Sequence, residues 1–187
     1  MGLVTNGSVY SRAVNMADMF LMLDGIKGES IDALYRDHIE IHGWEWHIEN
    51  NASISLTPGD AVKHTSFRSI KLDKLYDVSS VTLMNFCALG KHIPKGTLAC
   101  RKNIGSRSVD NQSGEVAKME YLILELKNIK VDKIEWPGRC EPQIVAESVT
   151  LTFNEFAMTY QLQNERGDPV GAVEFGFNVS SHTEVQR

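Results

Sequence analysis

Cysteine is scarce in this chain of 187 residues: Cys87, Cys100 and Cys140 are the only three, an odd number without CxxC spacing. That argues against a disulfide framework or a thiolate metal knuckle and for reduced thiols made in a cytoplasm. Cys87 and Cys100 fall in a helical and a strand pattern, where a small buried hydrophobe is expected, and Cys140, beside Arg139, is the thiol expected at the surface. An excess of positive charge is missing as well. With 19 Lys and Arg against 24 Asp and Glu the net charge is −5, so there is no field of the kind that selects phosphates and nucleic acid is not an expected partner. No apolar run approaches the roughly 20 residues of a membrane-spanning helix, and no membrane insertion is expected. The N-terminal stretch lacks the continuous apolar segment of a Sec signal peptide. GxSxG and GxxxxGK[ST] are both absent, and Gly25-Ile26-Lys27-Gly28 is too short to cradle a phosphate. No residue set supports catalysis, and no cofactor or metal is expected.

What the chain does have is alternation. His38 to Asn50, HIEIHGWEWHIEN, reads as a long strand whose phase changes midway: Ile39 and Ile41 lie on one parity, Trp44, Trp46 and Ile48 on the other. A bulge at Gly43 would put all five on one face and leave His42, Glu45, His47 and Glu49 on the opposite, wet one. His38, His42 and His47 lack the spacing of a compact zinc ligand set and read as solvated strand histidines. Glu45 and Glu49 read as solvated carboxylates rather than a hydrolase pair.

Residues 1–15 have low charge, scattered Gly, Asn and Ser and no periodicity, so they are expected to form a flexible extension before a single domain over 16–187. Met19 to Leu23, MFLML, is apolar throughout, the pattern of a strand covered on both faces. Residues 50–64 carry Asn50-Asn51, Pro58-Gly59 and Asp60, the chemistry of a long exposed loop or hairpin tip. Ser80 reads as an N-cap, Val81, Met84, Cys87 and Ala88 recur at helical spacing and Gly90 closes the turn, which predicts one helix at about Val81–Leu89. Gly96 to Lys102 alternates Leu98 and Cys100 against Thr97, Ala99 and Arg101. From Met119 to Val131, Leu122, Leu124 and Leu126 line one face while Tyr121 and Ile123 make the other apolar too, so the helix or a neighbouring subunit must cover it. Val149, Leu151 and Phe153 change parity to Phe156, Met158 and Tyr160 near Asn154-Glu155, and Val173 to Val179 forms a terminal hairpin after a Gly167-Asp168-Pro169 turn. Two phase switches in long strands predict a mainly β, curved and barrel-like sheet, because bulges supply the bends that curvature needs.

Five short motifs follow one another in order: Met16-Ala17-Asp18-Met19-Phe20, Asp24-Gly25-Ile26-Lys27-Gly28-Glu29-Ser30, Trp44-Glu45-Trp46, Cys87-Ala88-Leu89-Gly90-Lys91-His92 and Met119-Glu120-Tyr121-Leu122. Together they resemble the hemolysin-coregulated protein (Hcp) family, the inner-tube protein of bacterial type VI secretion, from Met16 to near the C-terminus. The resemblance implies a two-sheet antiparallel β-barrel with one flanking α-helix that is not an enzyme. It also implies self-assembly into hexameric rings stacked as a hollow tube, with a contractile sheath, a trimeric spike and secreted effectors as partners. Such a protein is assembled in the bacterial cytoplasm and secreted by the type VI route. On that reading Phe20, Met22, Tyr121 and Ile123 are expected at the ring interface, and Asn51, Ser53, Pro58, Gly59 and Asp60 in a ring-stacking loop. His42, Glu45 and His47 are expected to face the lumen and its cargo. Residues 50–64 lack the glycine run frequent in that family, and the 103–118 connection is longer than usual. The alternative that the residues leave open is a monomeric barrel holding a small apolar ligand.

Overall fold

Long alternation makes Lys118–Glu135 the longest strand, β8 in the chain order given next, and the sheet is built around it. The structure, a computed structural model, describes residues 18–50, 65–103, 118–137, 145–164 and 168–185. In order these form β1 (Met19–Leu23), β2 (Ile39–Ile41), β3 (Gly43–Glu45), β4 (Ile48–Asn50), β5 (Thr65–Phe67), β6 (Ile70–Leu75), α1 (Val78–Leu89), β7 (His92–Asn103), β8 (Lys118–Glu135), β9 (Ala146–Thr152), β10 (Glu155–Gln163), β11 (Pro169–Asn178) and β12 (Thr183–Glu184). The expected extension 1–15, almost all of the 50–64 loop, the 104–117 connection and Cys140 lie outside the described residues.

β8 serves two neighbours on one edge. Its residues Leu122 to Lys127 pair with β10, and Lys130 to Glu135 pair with β9. Between them Asn128 takes a φ of 51°, and the buried side switches from Leu124 and Leu126 to Ile129 and Val131. Asn tolerates the left-handed region better than a branched residue, so the strand bends there without losing its core face. The resulting ten-stranded antiparallel sheet runs β12-β11-β10-β8-β7-β1-β2, with β9, β6 and β3 continuing from the second half of β8; β4 and β5 form a separate two-stranded ribbon. Among the described residues the ladder does not close into a complete barrel: β2 pairs with β1 and β3 pairs with β6. Ile39, Ile41, Ile70, Leu72, Leu98, Leu124, Leu151 and Phe156 fill the interior, with Trp44 and Trp46 packed against them.

The stretch 38–50 is therefore three short strands rather than one bulged strand. At His42 the chain leaves β1 and joins β6, the His42 N–H donating to the Asp73 carbonyl at 2.8 Å. The phase change seen in the sequence is this change of partner. Its prediction fails at Ile48, which belongs to the β4–β5 ribbon and is 54% exposed. The second switch, at Asn154, is likewise the step from β9 to β10. β1 is not covered evenly: Leu21 and Leu23 enter the main core, Phe20 joins a second cluster with Tyr35 and Ala99, and Met22 is exposed.

The helix begins one turn earlier than predicted. Asp77, not Ser80, is the N-cap; its carboxylate accepts from Ser79 N, while the Ser80 hydroxyl at the third helical position accepts from Asp77 N. Both residue types suit a cap, and the pair forms a capping box that makes the earlier start the better satisfied one. Gly90 ends the helix at a φ of 61°, as its position implied.

Candidate functional site

The side of a strand that packs into the core must be apolar along its covered length only. In the β10–β11 hairpin that side stays apolar beyond the core. Tyr160 pairs with Val173 and Met158 with Phe175, on the same face as Phe156 and Phe177, which pack into the interior. Tyr160 is nevertheless 43%, Phe175 48% and Val173 59% exposed, and Leu162 is exposed beside them. Among the described residues the free edge of β11 is covered only from Gly176 to Asn178, by β12 and the Val185 N–H.

A bulge decides which side Tyr121 joins. Cys100 faces Leu122 and Arg101 faces Glu120, so Tyr121 is the unpaired extra residue. Its ring lies 6.3 Å from that of Tyr160, and the Lys102 ammonium stands over both rings, 5.1 and 5.8 Å from their centroids. The four residues expected at a ring interface are thus divided. Phe20, Met22 and Ile123 line a recess of about 170 Å³ on the outward face, whereas Tyr121 packs against the main core on the other side. Phe20 itself is buried.

What buries Phe20 is a strap, residues 24–37, folded across the outer face of β1. Tyr35 stacks on Phe20 at 4.5 Å with 8° between the rings, and Arg101 lies over both, 4.6 and 4.9 Å from their centroids. Arg101 holds Asp32 by two bonds of 2.5 and 3.2 Å, and the Tyr35 hydroxyl donates to the Glu120 carboxylate. Burial disfavours charge on Asp32, but the Arg101 bonds and the N–H groups of Leu34 and Tyr35 outweigh it and hold the carboxyl below its usual range. The base of the strap is stitched by Gly28 N–H to Asp37 O at 2.8 Å and Ser30 N–H to His38 O at 3.1 Å. Sequence reasoning gave Asp32 and Tyr35 no role; a carboxylate and a tyrosine in a polar stretch were the available signal of anchor chemistry.

A second buried polar group sits at the start of α1. The Lys74 ammonium donates to Glu147 and Asp77 at 2.8 Å, Ser80 at 3.0 Å and the Leu75 carbonyl at 2.7 Å. Alternation along β6 could not reveal this, because Lys74 occupies a core position after Ile70 and Leu72.

The histidines do not converge. His42 lines a recess of about 250 Å³ with Glu29, Glu40 and Asp77, while Glu45 and His47 flank an open groove of about 450 Å³ with Arg68 and Lys71. The His47 ring nitrogen lies 3.6 Å from the Glu45 carboxylate, both side chains being well exposed. Among the described residues no group of three His, Cys, Asp or Glu side chains is arranged to hold a metal. Asn51, Ser53, Pro58, Gly59 and Asp60 lie outside the described residues.

A curved antiparallel wall with one helix and these five motifs can be compared with known proteins. The family model described as "Type VI secretion system effector, Hcp" matches residues 20–160. The chain belongs to the Hcp family. Protein hcp1 of Pseudomonas aeruginosa is 29% identical over 169 residues, covering 90% of this chain and 98% of that protein. The solved structure of Hcp1 from Salmonella typhimurium superposes with a TM-score of 0.70 at 28% identity, covering 91% of this chain and 100% of the other. A solved type six secretion system protein superposes with a TM-score of 0.76 at 17% identity, covering 91% of this chain and 100% of that one, a likeness of fold alone. The matched span runs through the strap, α1, β7 and β8 into β10.

Proposed function

We propose that this Hcp-family protein is a structural tube subunit that assembles into hexameric rings, stacks as a hollow tube within a contractile sheath behind a trimeric spike, and is secreted by the type VI route. Family membership supports the secretion system. The observation in the chain that carries self-assembly is the apolar, core-parity face of β10–β11 left open at Tyr160, Leu162, Val173 and Phe175. A contiguous apolar face rimmed by polar residues requires a cover, and for a ring subunit the cover is the next copy. The Met22 and Ile123 recess is a second contact surface, and Asn51 to Asp60 is the segment assigned to stacking. His42, Glu45 and His47 are assigned to the lumen, and effectors are its cargo.

Light scattering from micromolar concentrations upward, with negatively stained micrographs of the same samples, tests assembly: rings are expected, and a strict monomer throughout would overturn the reading. Glu45→Lys is expected to change effector retention while leaving rings intact; unchanged retention of several cargoes would remove Glu45 from the lumen.

A further inference from the structure

We propose that the strap is a lid: from Lys27 to Asp37 it lifts off β1 and recloses as one unit while the main core stays folded, and Arg101 is its latch. The main-chain bonds of this segment join it to itself. Gly28 N–H donates to Asp37 O at 2.8 Å, Ser30 N–H to His38 O at 3.1 Å, Asp37 N–H to Ser30 O at 2.9 Å and His38 N–H to Tyr35 O at 3.2 Å. The Asp32 carboxylate adds two more internal bonds, accepting from Leu34 N–H at 3.0 Å and Tyr35 N–H at 3.2 Å. Main-chain bonding to the sheet stops at Ile26, whose N–H donates to Leu23 O at 3.0 Å, and resumes at Ile39, paired with Leu21. Among the described residues, lifting the segment breaks no ladder bond of the sheet.

Side chains alone hold it down. Tyr35 stacks on Phe20 and its hydroxyl donates to Glu120, Asp32 meets Arg101 twice, and at the near end the Glu29 carboxylate accepts from Val78 N–H at 3.1 Å. Ile31 and Leu34 are exposed and add nothing to the hold. The apolar part of the contact is the small cluster of Phe20, Tyr35 and Ala99, which is separate from the main core, whereas Ile26, just before the segment, stays in that core. A pre-bonded loop with few buried apolar contacts opens at a free energy well below that of the whole fold.

The latch also releases without stranding a charge. When Asp32 leaves, Arg101 keeps Asp18 at 3.4 Å, and Asp32 passes into water instead of remaining buried alone. Lifting removes Tyr35 from the wall of the recess beside Met22 and uncovers Phe20 and Ala99. Phe20 faces Ala99 and Ala99 faces Ile123 in register, so the recess becomes an apolar row across β1, β7 and β8. That this row is a contact surface rests on the reading above; the lid motion does not.

Thiol labelling tests the lid, because Ala99 and Cys100 are neighbours on opposite faces of β7, one under the strap and the other in the main core. In an Ala99→Cys/Cys100→Ala chain, at one fixed protein concentration, iodoacetamide is expected to modify position 99 at a rate whose urea slope is less than about half that of equilibrium unfolding, while Cys100 of the unsubstituted chain follows the full slope. Adding Asp32→Asn keeps an acceptor for the Leu34 and Tyr35 N–H groups and removes the charge that Arg101 holds. It is expected to raise the rate at position 99 at least about tenfold with the shallow slope retained. Equal slopes at the two positions, or modification at position 99 as fast as at the half-exposed Cys87 before Asp32 is changed, overturn the lid; a rate moved less than about twofold by Asp32→Asn overturns the latch. If the substitutions at 99 and 100 prevent folding, exchange of the Leu34 and Tyr35 amides against urea in the unsubstituted chain reads the same slope, and a full slope there overturns the lid. Each result holds whether or not the chain forms rings, so failure of the lid and failure of self-assembly are separate findings.

Discussion

Replacing Lys74 by methionine keeps the aliphatic stem and deletes the ammonium, which isolates the charge it was meeting. Glu147 is fully buried; without Lys74 its carboxylate keeps only the Ser80 hydroxyl at 2.5 Å and the Trp136 indole N–H at 3.1 Å. Two neutral donors do not replace a cation away from water, and breaking one side of such a pair costs about 3–5 kcal/mol. Asp77 also loses a partner, but it is less deeply buried and retains the helix N–H of Ser79, so its share is smaller. With a urea slope of roughly 2 kcal/mol/M the midpoint is expected to fall by about 1.5–2.5 M. Tryptophan fluorescence at one fixed protein concentration reads it, since assembly would otherwise shift the midpoint by mass action. The decisive comparison is the double variant Lys74→Met/Glu147→Leu. Removing both charges is expected to restore most of the stability, leaving a coupling of at least about 2 kcal/mol between the two positions. A loss under about 1 kcal/mol for Lys74→Met, or a double variant no better than the sum of the singles, would refute the account of Lys74 as the obligatory partner of Glu147.

The Arg101 clamp is expected to be pH-sensitive on the acid side: Asp32 titrates below its usual 3.8, so its stabilisation is complete above that pH and is lost as pH falls through the lower folded value. Hydrogen exchange of Leu34 and Tyr35 amides during acid titration checks it, and Asp32→Asn should abolish the dependence. Arg101→Lys is expected to cost about 1.5–3 kcal/mol by urea denaturation, because an ammonium cannot form both bonds to Asp32 while lying flat over Phe20 and Tyr35. Gly28→Ala places a methyl 2.2 Å from the His38 carbonyl oxygen, a backbone atom, and should lose the strap's main-chain bonds, seen as exchange of Ser30 and Asp37 amides at the rate of an open loop. Burial pushes the Cys100 thiol up to about 11, so at pH 8 iodoacetamide should modify it only after denaturation, as read from its peptide mass.

The sheet was legible in the sequence wherever alternation is uninterrupted, as at Leu122, Leu124 and Leu126, and the helix end was legible because Gly90 is the residue a left-handed cap requires. The phase changes at Gly43 and Asn154 were visible too, but periodicity reports that a face has changed, not which strand lies beside it. Hence one bulged strand was expected where the chain crosses from β1 to β6, and Ile48 was placed in a core it does not reach. Tyr121 failed for a related reason. Simple counting from Ile123 assigns it outward, and only the partner strand's register makes it the extra residue of a bulge. Arg101 was given no partner in the sequence because its acid lies 69 positions away in the strap. No local rule connects residues that meet only after the sheet has formed.

These misses also explain how the strap's exposed aliphatics and the open hairpin face persist without collapsing into the core. An exposed aliphatic on a loose loop would fold back against the nearest apolar surface, and Met22 and Ile123 lie close to the strap. Arg101 prevents this by fixing Asp32 and Tyr35 toward the sheet, which forces the intervening Ala33 and Leu34 outward. The hairpin is held open by different means: nine register pairs fix β10 against β11, and Phe156 and Phe177 root that hairpin in the core while Val173 and Phe175 remain beyond it. Each surface is therefore held open by interior contacts made elsewhere, and loosening an anchor should loosen the strap without touching Ile31 or Leu34. On that logic Arg101→Lys should speed hydrogen exchange at the Leu34 and Tyr35 amides, although its side chain never reaches the surface.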